Sequence, residues 1–224
     1  MWTYRIKYAK LGRIRFISHL DVMRAIIRAI NRARIPVAYT EGFNPRPKLS
    51  MGPALPVGIE SVCELADVFL AQMLSPDELC ARLGTSMPRG LELIESAWVL
   101  ETSLRLSDAS QASYMIELHD RGLADSADEL VRKFDAKDSV HVERVRKDMS
   151  ALIDVRPLVV DTRVDTSEGV RRLRLTLSLG PHGSCSPVEA AQAVLNLSPD
   201  RAKCLRIVRT DIGFGDAPTP RKNP

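Results

Sequence analysis

SHLDVMRAIIRAINRARI, residues 18–35, is the stretch on which the reading of the fold turns. Ser18 precedes Asp21 by three residues, the spacing of a capping box at a helix start. Leu20, Met23, Ile27 and Ile30 recur at i, i+3, i+7 and i+10, one apolar stripe of a helix, and Pro36 marks its exit. Ahead of the helix TYRIKYA (3–9) alternates as a strand does, and RIRFI (13–17) reads as its continuation after Gly12. Beyond it Val37–Tyr39 opens a strand, a Pro-rich segment follows, and CELADVFLAQ (63–72) is a further strand. A second helix starts at Ser75 as cap with Pro76 in its first turn and closes at Gly90; LELIESAWVL (91–100) is the last strand. The order β-α-β-β-α-β is that of a split β-α-β sandwich.

The second half parses the same way. SYMIELH (113–119) is a strand and SADELVRKF (126–134) a helix capped by Ser126. VHVERVR (140–146) and IDVRPLVVDTRVD (153–165) are extended, and RRLRLTLSL (171–179) alternates strictly. SPVEAAQAVLNL (186–197) repeats the Ser-Pro helix start, and CLRIVRTDI (204–212) is the last strand. The fold class expected is α+β, two tandem ferredoxin-like sandwiches over residues 1–110 and 111–214, followed by a disordered Pro-rich tail, 215–224.

A chain of 224 residues can bury a core without covalent staples. It shows no signal-like N-terminus and no apolar run of membrane-spanning length, so a cytoplasmic protein that does not engage membranes is expected. Cys63, Cys80, Cys185 and Cys204 lie far apart; they read as small hydrophobic residues, with no metal site and no cofactor. The net charge of +4 is unevenly spread. Residues 1–50 carry eleven Lys/Arg against Asp21 and Glu41, a surplus of +9; residues 51–112 carry three cations and nine acids, or −6. Such polarity attracts a polyanion, and the basic side chains of the first fifty residues are expected to converge in one groove.

Within that segment Arg24, Arg28 and Arg32 recur every four residues, a row about 12 Å long at ~1.5 Å rise per residue and able to meet successive phosphates. In TEGFNPRPKLSMGPALPVG (40–58) Pro45 and Pro47 stiffen an extended track. There Phe43 offers a ring for a base, Asn44 a donor and acceptor for a base edge, and Arg46 and Lys48 positive charge. His19 lies in the first helical turn, where the dipole favours the neutral base, and Tyr39 is a nearby acid. His19, Tyr39 and Lys48 are therefore the catalytic candidates. Asp154 and Arg156, two apart on one strand face, suggest an ion pair.

YRIKYAKLGRIRFISHLDVMRAIIRAINRARIPVAYTEGFNPRPKLSMGPALPVGIES resembles the opening of the radical SAM-linked protein family, bacterial proteins built on a domain of unknown function, and IDVRPLV resembles its later motif. The resemblance is strongest over residues 4–70. His19, Asp21, Arg24, Gly42, Phe43, Asn44, Pro45, Pro47, Lys48 and Gly58 fall in that family's characteristic motif. It implies a radical SAM protein as partner, encoded nearby or fused in relatives, and a context of RNA and translation. The chain has no CxxxCxxC ligand set for an iron–sulfur cluster. The function expected is an RNA-binding accessory module, more a binding protein than an enzyme on its own. Two alternatives stand beside it. One is a metal-independent endoribonuclease resembling CRISPR RNA-processing enzymes, with His19 as base, Tyr39 as acid and Lys48 stabilising the phosphate. The other is a protein–protein adaptor docking through the acidic 51–112 surface.

Overall fold

Alternation in WTYRIKYAK places Tyr4, Ile6 and Tyr8 on the buried face of strand β1 (Trp2–Lys10). The computed structural model describes residues 1–100, 102–146, 149–180 and 183–215; it divides into two units, the first Met1–Ala109 and the second from Ser110 onward. Both mix antiparallel strands with helices, an α+β fold. Residues 216–224 of the tail lie outside the described residues.

In the first unit β1 leads to helix α1 (His19–Arg32), then β2 (Leu49–Met51), β3 (Glu60–Leu70), helix α2 (Pro76–Gly84) and β4 (Leu91–Trp98). The strands lie in the order β2-β3-β1-β4, each antiparallel to its neighbour. Ala66, Val68 and Leu70 of β3 join the β1 side chains beneath Val22, Ile26, Ala29 and Ile30 of α1 and Leu79 and Leu83 of α2. Burying each large aliphatic group there stabilises the fold by roughly 1.5–3 kcal/mol. Tyr4, wholly buried, keeps its hydroxyl satisfied: it donates to the Leu74 carbonyl at 2.5 Å and accepts the Leu74 amide at 2.9 Å.

Within this unit four details differ from the sequence reading. Residues Gly12–Phe16 form a 3-10 turn instead of a strand, because Gly12 takes φ +66° and reverses the chain. The buried stripe of α1 is Val22, Ile26, Ala29 and Ile30; Leu20 is exposed. Val37 and Tyr39 make only isolated bridges, to Leu70 and Pro47, and the strand comes later at β2. Helix α2 ends at Gly84 with Thr85 as its C-cap, and Gly90, at φ +91°, instead turns the chain into β4.

The second unit runs β5 (Ala109–Glu117), α3 (Arg121–Asp135), β6 (His141–Arg146), β7 (Met149–Asp154), β8 (Val159–Ser167), β9 (Val170–Ser178), α4 (Pro187–Val194), α5 (Pro199–Lys203) and β10 (Ile207–Phe214). Strands order as β10-β5-β9-β8, while β6 and β7 pair with each other in a separate two-stranded sheet. Leu173, Leu175 and Leu177 of β9 point inward, as its alternation requires. Asp120, not Ser126, caps α3 by accepting the Leu123 amide; the Ser126 hydroxyl donates back to the Gly122 carbonyl from inside the helix. Ser186 and Glu189 form a capping box on α4, and Glu189 also accepts both prongs of Arg144 at 2.6 Å.

The Asp154–Arg156 ion pair does not form. Val155 adopts a helical backbone that starts a 3-10 turn over Arg156–Leu158, taking Arg156 off the strand face. Asp154 accepts the Val140 and Arg156 amides instead. The Arg156 guanidinium lies over the Phe134 ring and 3.9 Å from Asp135.

Candidate nucleic-acid interface

The segment after α1 closes into a hairpin held by its own backbone. The Thr40 amide donates to the Arg46 carbonyl at 2.8 Å, and the Arg46 amide to the Thr40 hydroxyl at 3.0 Å. Below that ring the Lys48 amide donates to the Ala38 carbonyl, and both arms are stitched to Phe69 of β3. Pro45 and Pro47 restrict the returning arm. The tip carries Phe43 entirely in solvent, at 105% of its reference exposure, with Asn44 and Arg46 exposed beside it.

Lys48 is not part of this outward group. Its ammonium sits 4.9 Å over the Phe69 ring and 3.7 Å from the Met1 sulfur. Tyr39 is exposed at the hairpin base, opposite Pro47.

The three helical arginines differ in what holds them. Arg24 is tied to Asp21 at 3.0 Å. Asp21 is a firmly ionised partner, for the Ser18 hydroxyl bond and then Arg24 hold its carboxyl below the usual range. Arg32 donates to the Ser86 carbonyl at 2.6 Å. Arg28 is exposed and has no side-chain partner among the described residues. The row is therefore outward-facing but only Arg28 is wholly uncommitted.

His19 stands apart from the other catalytic candidates. It begins α1 near the end of β1, where the Lys10 ammonium donates to the Ile17 carbonyl. Tyr39 and Lys48 follow the far end of the helix, where Val37 and Trp2 both face Leu70. Fourteen helical residues separate these ends by about 20 Å. Acid and base working on one phosphate must both lie within hydrogen-bond reach of it, so the structure does not bring this trio together.

Nor do the eleven cations of residues 1–50 converge in one groove. Arg5 is held bidentately by Asp67, Lys7 faces Glu95 at 3.7 Å, and Arg15 lies 3.8 Å from buried Glu60. The cause is register: basic β1 is flanked by β3 and β4, which come from the acidic segment, so the surpluses of +9 and −6 partly cancel across the sheet. The same pairing buries Glu60, Glu64 and Asp67 and thins the acidic surface invoked for an adaptor.

Sequence reasoning missed Arg82. From α2 its guanidinium donates to the carbonyls of Ala33 and Arg34, closing the end of α1 next to the hairpin, while Glu78 holds it at 2.9 Å. Its only signal was Glu78 four residues ahead on the same helix. No group of three or more His, Cys, Asp or Glu among the described residues is placed to hold a metal ion, and no described helix is long and apolar enough to cross a membrane.

Residues 3–187 match a family described as an uncharacterized protein conserved in bacteria, DUF2344. The chain belongs to this family. That description attaches no radical SAM chemistry to DUF2344. No curated protein matches the chain. A crystal structure of an unknown protein from Galdieria sulphuraria is similar at 12% identity over 96% of this chain and 98% of that one, with a TM-score of 0.27, too low to carry an argument about the fold.

Proposed function

We propose that each unit is a ferredoxin-like sandwich and that the first binds single-stranded RNA, as an accessory module to a radical SAM protein in the cytoplasm. The strand orders β2-β3-β1-β4 and β10-β5-β9-β8 support the first part: each places the first and third strands centrally, with the second and fourth outside. The second unit adds the β6–β7 hairpin between its first helix and second strand. The radical SAM partner rests on the resemblance over residues 4–70.

The observation that carries the RNA reading is Phe43. An aromatic ring wholly in water at the tip of a closed, proline-stiffened hairpin is presented to a flat partner at reduced backbone ordering cost. Every base offers such a face, and stacking on an aromatic side chain contributes about 1–3 kcal/mol per base. Asn44 supplies base-edge hydrogen bonds, and Arg46, Arg28 and Arg32 supply charge for the backbone.

Fluorescence anisotropy with a labelled single-stranded RNA, titrated across ionic strength, tests it. Binding at low salt that weakens at least about fivefold in Phe43→Ala is expected. No measurable affinity at low salt would end the reading.

A further inference from the structure

At the end of the first unit away from the hairpin, two glycine-punctuated turns meet. One is the 3-10 turn Gly12–Phe16; the other brings Arg89 and Gly90 into β4. They are locked by the Leu11 amide donating to the Gly90 carbonyl at 2.8 Å. A Cβ on Gly90 would stand 2.8 Å from the Leu11 carbonyl oxygen and 3.0 Å from the Ile14 side chain, so the close approach requires glycine. Between the turns lies a cavity of about 680 Å³ lined by Leu11, Gly12, Arg13, Ile14, Arg89, Gly90 and Glu92, within the ~300–1,000 Å³ range of small-molecule sites.

Its chemistry is specific. Arg13 and Arg89 are both exposed, and among the described residues neither has a side-chain partner. Elsewhere in this unit Arg5, Arg15, Arg24 and Arg82 each have a carboxylate within 4 Å. Two unneutralised guanidiniums facing one cavity suit a dianionic phosphate, which accepts two-pronged contacts from each. Glu92, also exposed, can accept hydrogen bonds from hydroxyl groups. Phe16 does not line the cavity itself, but a 3-10 helix has three residues per turn, which sets it on the same side as Arg13, about 6 Å along the axis at ~2 Å per residue. The Arg15 guanidinium covers one face of that ring at 4.8 Å, and Phe16 is still 60% exposed.

We infer that this cavity is a nucleotide site, in which Arg13 and Arg89 clamp a phosphomonoester, Glu92 accepts a sugar hydroxyl and Phe16 stacks the base. The phosphomonoester comes from a free nucleotide or from the phosphorylated end of an RNA. No residue of the hairpin or of the α1 row takes part, so the site stands independently of the RNA reading.

Calorimetric titration of the full chain with 5′-AMP, adenosine, inorganic phosphate, and one short RNA bearing either a 5′-phosphate or a 5′-hydroxyl tests it. The phosphorylated member of at least one pair should bind about tenfold or more tighter than its hydroxyl counterpart. Arg13→Gln/Arg89→Gln should erase that difference, with the melting temperature checking that the exposed changes leave the fold intact. Phe16→Ala should weaken 5′-AMP while sparing inorganic phosphate. A preference for AMP identifies a free nucleotide, and a preference confined to the RNA pair identifies a terminus. Absence of any phosphate preference, a preference that survives the double variant, or inorganic phosphate binding as tightly as the nucleotides would overturn the proposal. Retention of the 5′-hydroxyl RNA by the double variant reports on the hairpin alone, so the two readings fail separately.

Discussion

The guanidinium of Arg82 donates to the carbonyl oxygen of Arg34 at 2.6 Å, joining the second helix of the first unit to the turn that follows the first. Helix ends leave carbonyls without intrahelical partners, and a cation there also opposes the negative end of the helix dipole. Arg82→Ala should therefore destabilise the protein by about 1–3 kcal/mol. Arg82→Lys, which cannot fork between two carbonyls and Glu78, should recover only part of that in urea denaturation.

Arg34 itself sits at φ +51° in a Schellman turn. Its amide donates to Asn31, and that of Ile35 donates to Ile30. A non-glycine residue is strained in this conformation by about 1–2 kcal/mol. Replacing it by glycine should stabilise the fold by roughly 0.5–1 kcal/mol once the freer unfolded chain is counted. Thermal melting of Arg34→Gly checks it, and a fall in Tm would be the contrary result.

Arg24 and Arg28 should contribute unequally to RNA binding. Arg24 is neutralised by Asp21, whereas Arg28 is uncommitted. Arg28→Ala should lower the salt slope of single-strand binding by about 0.7, the value for one phosphate contact. Arg24→Ala should lower it less. Equal slopes for the two variants would contradict the assignment.

Glu189 links the stability of the second unit to pH. Burial works to raise its pKa, but the Arg144 bonds and the Ser186 amide outweigh it and hold the carboxyl below the usual range. A depressed native pKa means the contribution is complete above the unfolded value of about 4.3 and drains away as pH falls through the native one. The Tm difference between wild type and Glu189→Gln should be largest near neutrality and shrink in acid. A difference independent of pH would show that charge is not its source.

Two cysteines should differ clearly in thiol reactivity. Burial pushes the Cys185 thiol up to about 12, so it stays protonated, while Cys204 is exposed. Since the thiolate is the nucleophile, native protein treated with a thiol-specific reagent should be modified at Cys204 well before Cys185. Prompt labelling of Cys185 would mean that the second unit opens locally.

The alternating strands were the most legible part of the chain. TYRIKYA and RRLRLTLSL repeat with period two and bury one face each, so β1 and β9 were found as strands. Alpha-helical stripes were less legible where apolar residues are dense. Helix α1 has apolar side chains at 20, 22, 23, 25, 26, 27, 29 and 30, enough for two overlapping stripes. Packing selects the one containing Ala29, whose small side chain sits fully buried. The Gly12–Phe16 turn was hidden because isoleucines at 14 and 17 fit a strand's end as readily as a period of three.

In the candidate interface, the exposure of Phe43 and Arg46 follows from the local punctuation of FNPRP. What the sequence could not convey was partnership. Whether Arg5, Lys7 or Arg15 is spent inside the sheet depends on which strand lies alongside β1, a long-range property absent from any local pattern.

The ring from Thr40 to Arg46 closes on its own hydrogen bonds, and its tip side chains contribute nothing to the buried layers. If the hairpin binds RNA as proposed, ligand preference and folding are uncoupled in this chain. Positions 43, 44 and 46 are free to drift one at a time toward new targets while the scaffold beneath them remains unchanged.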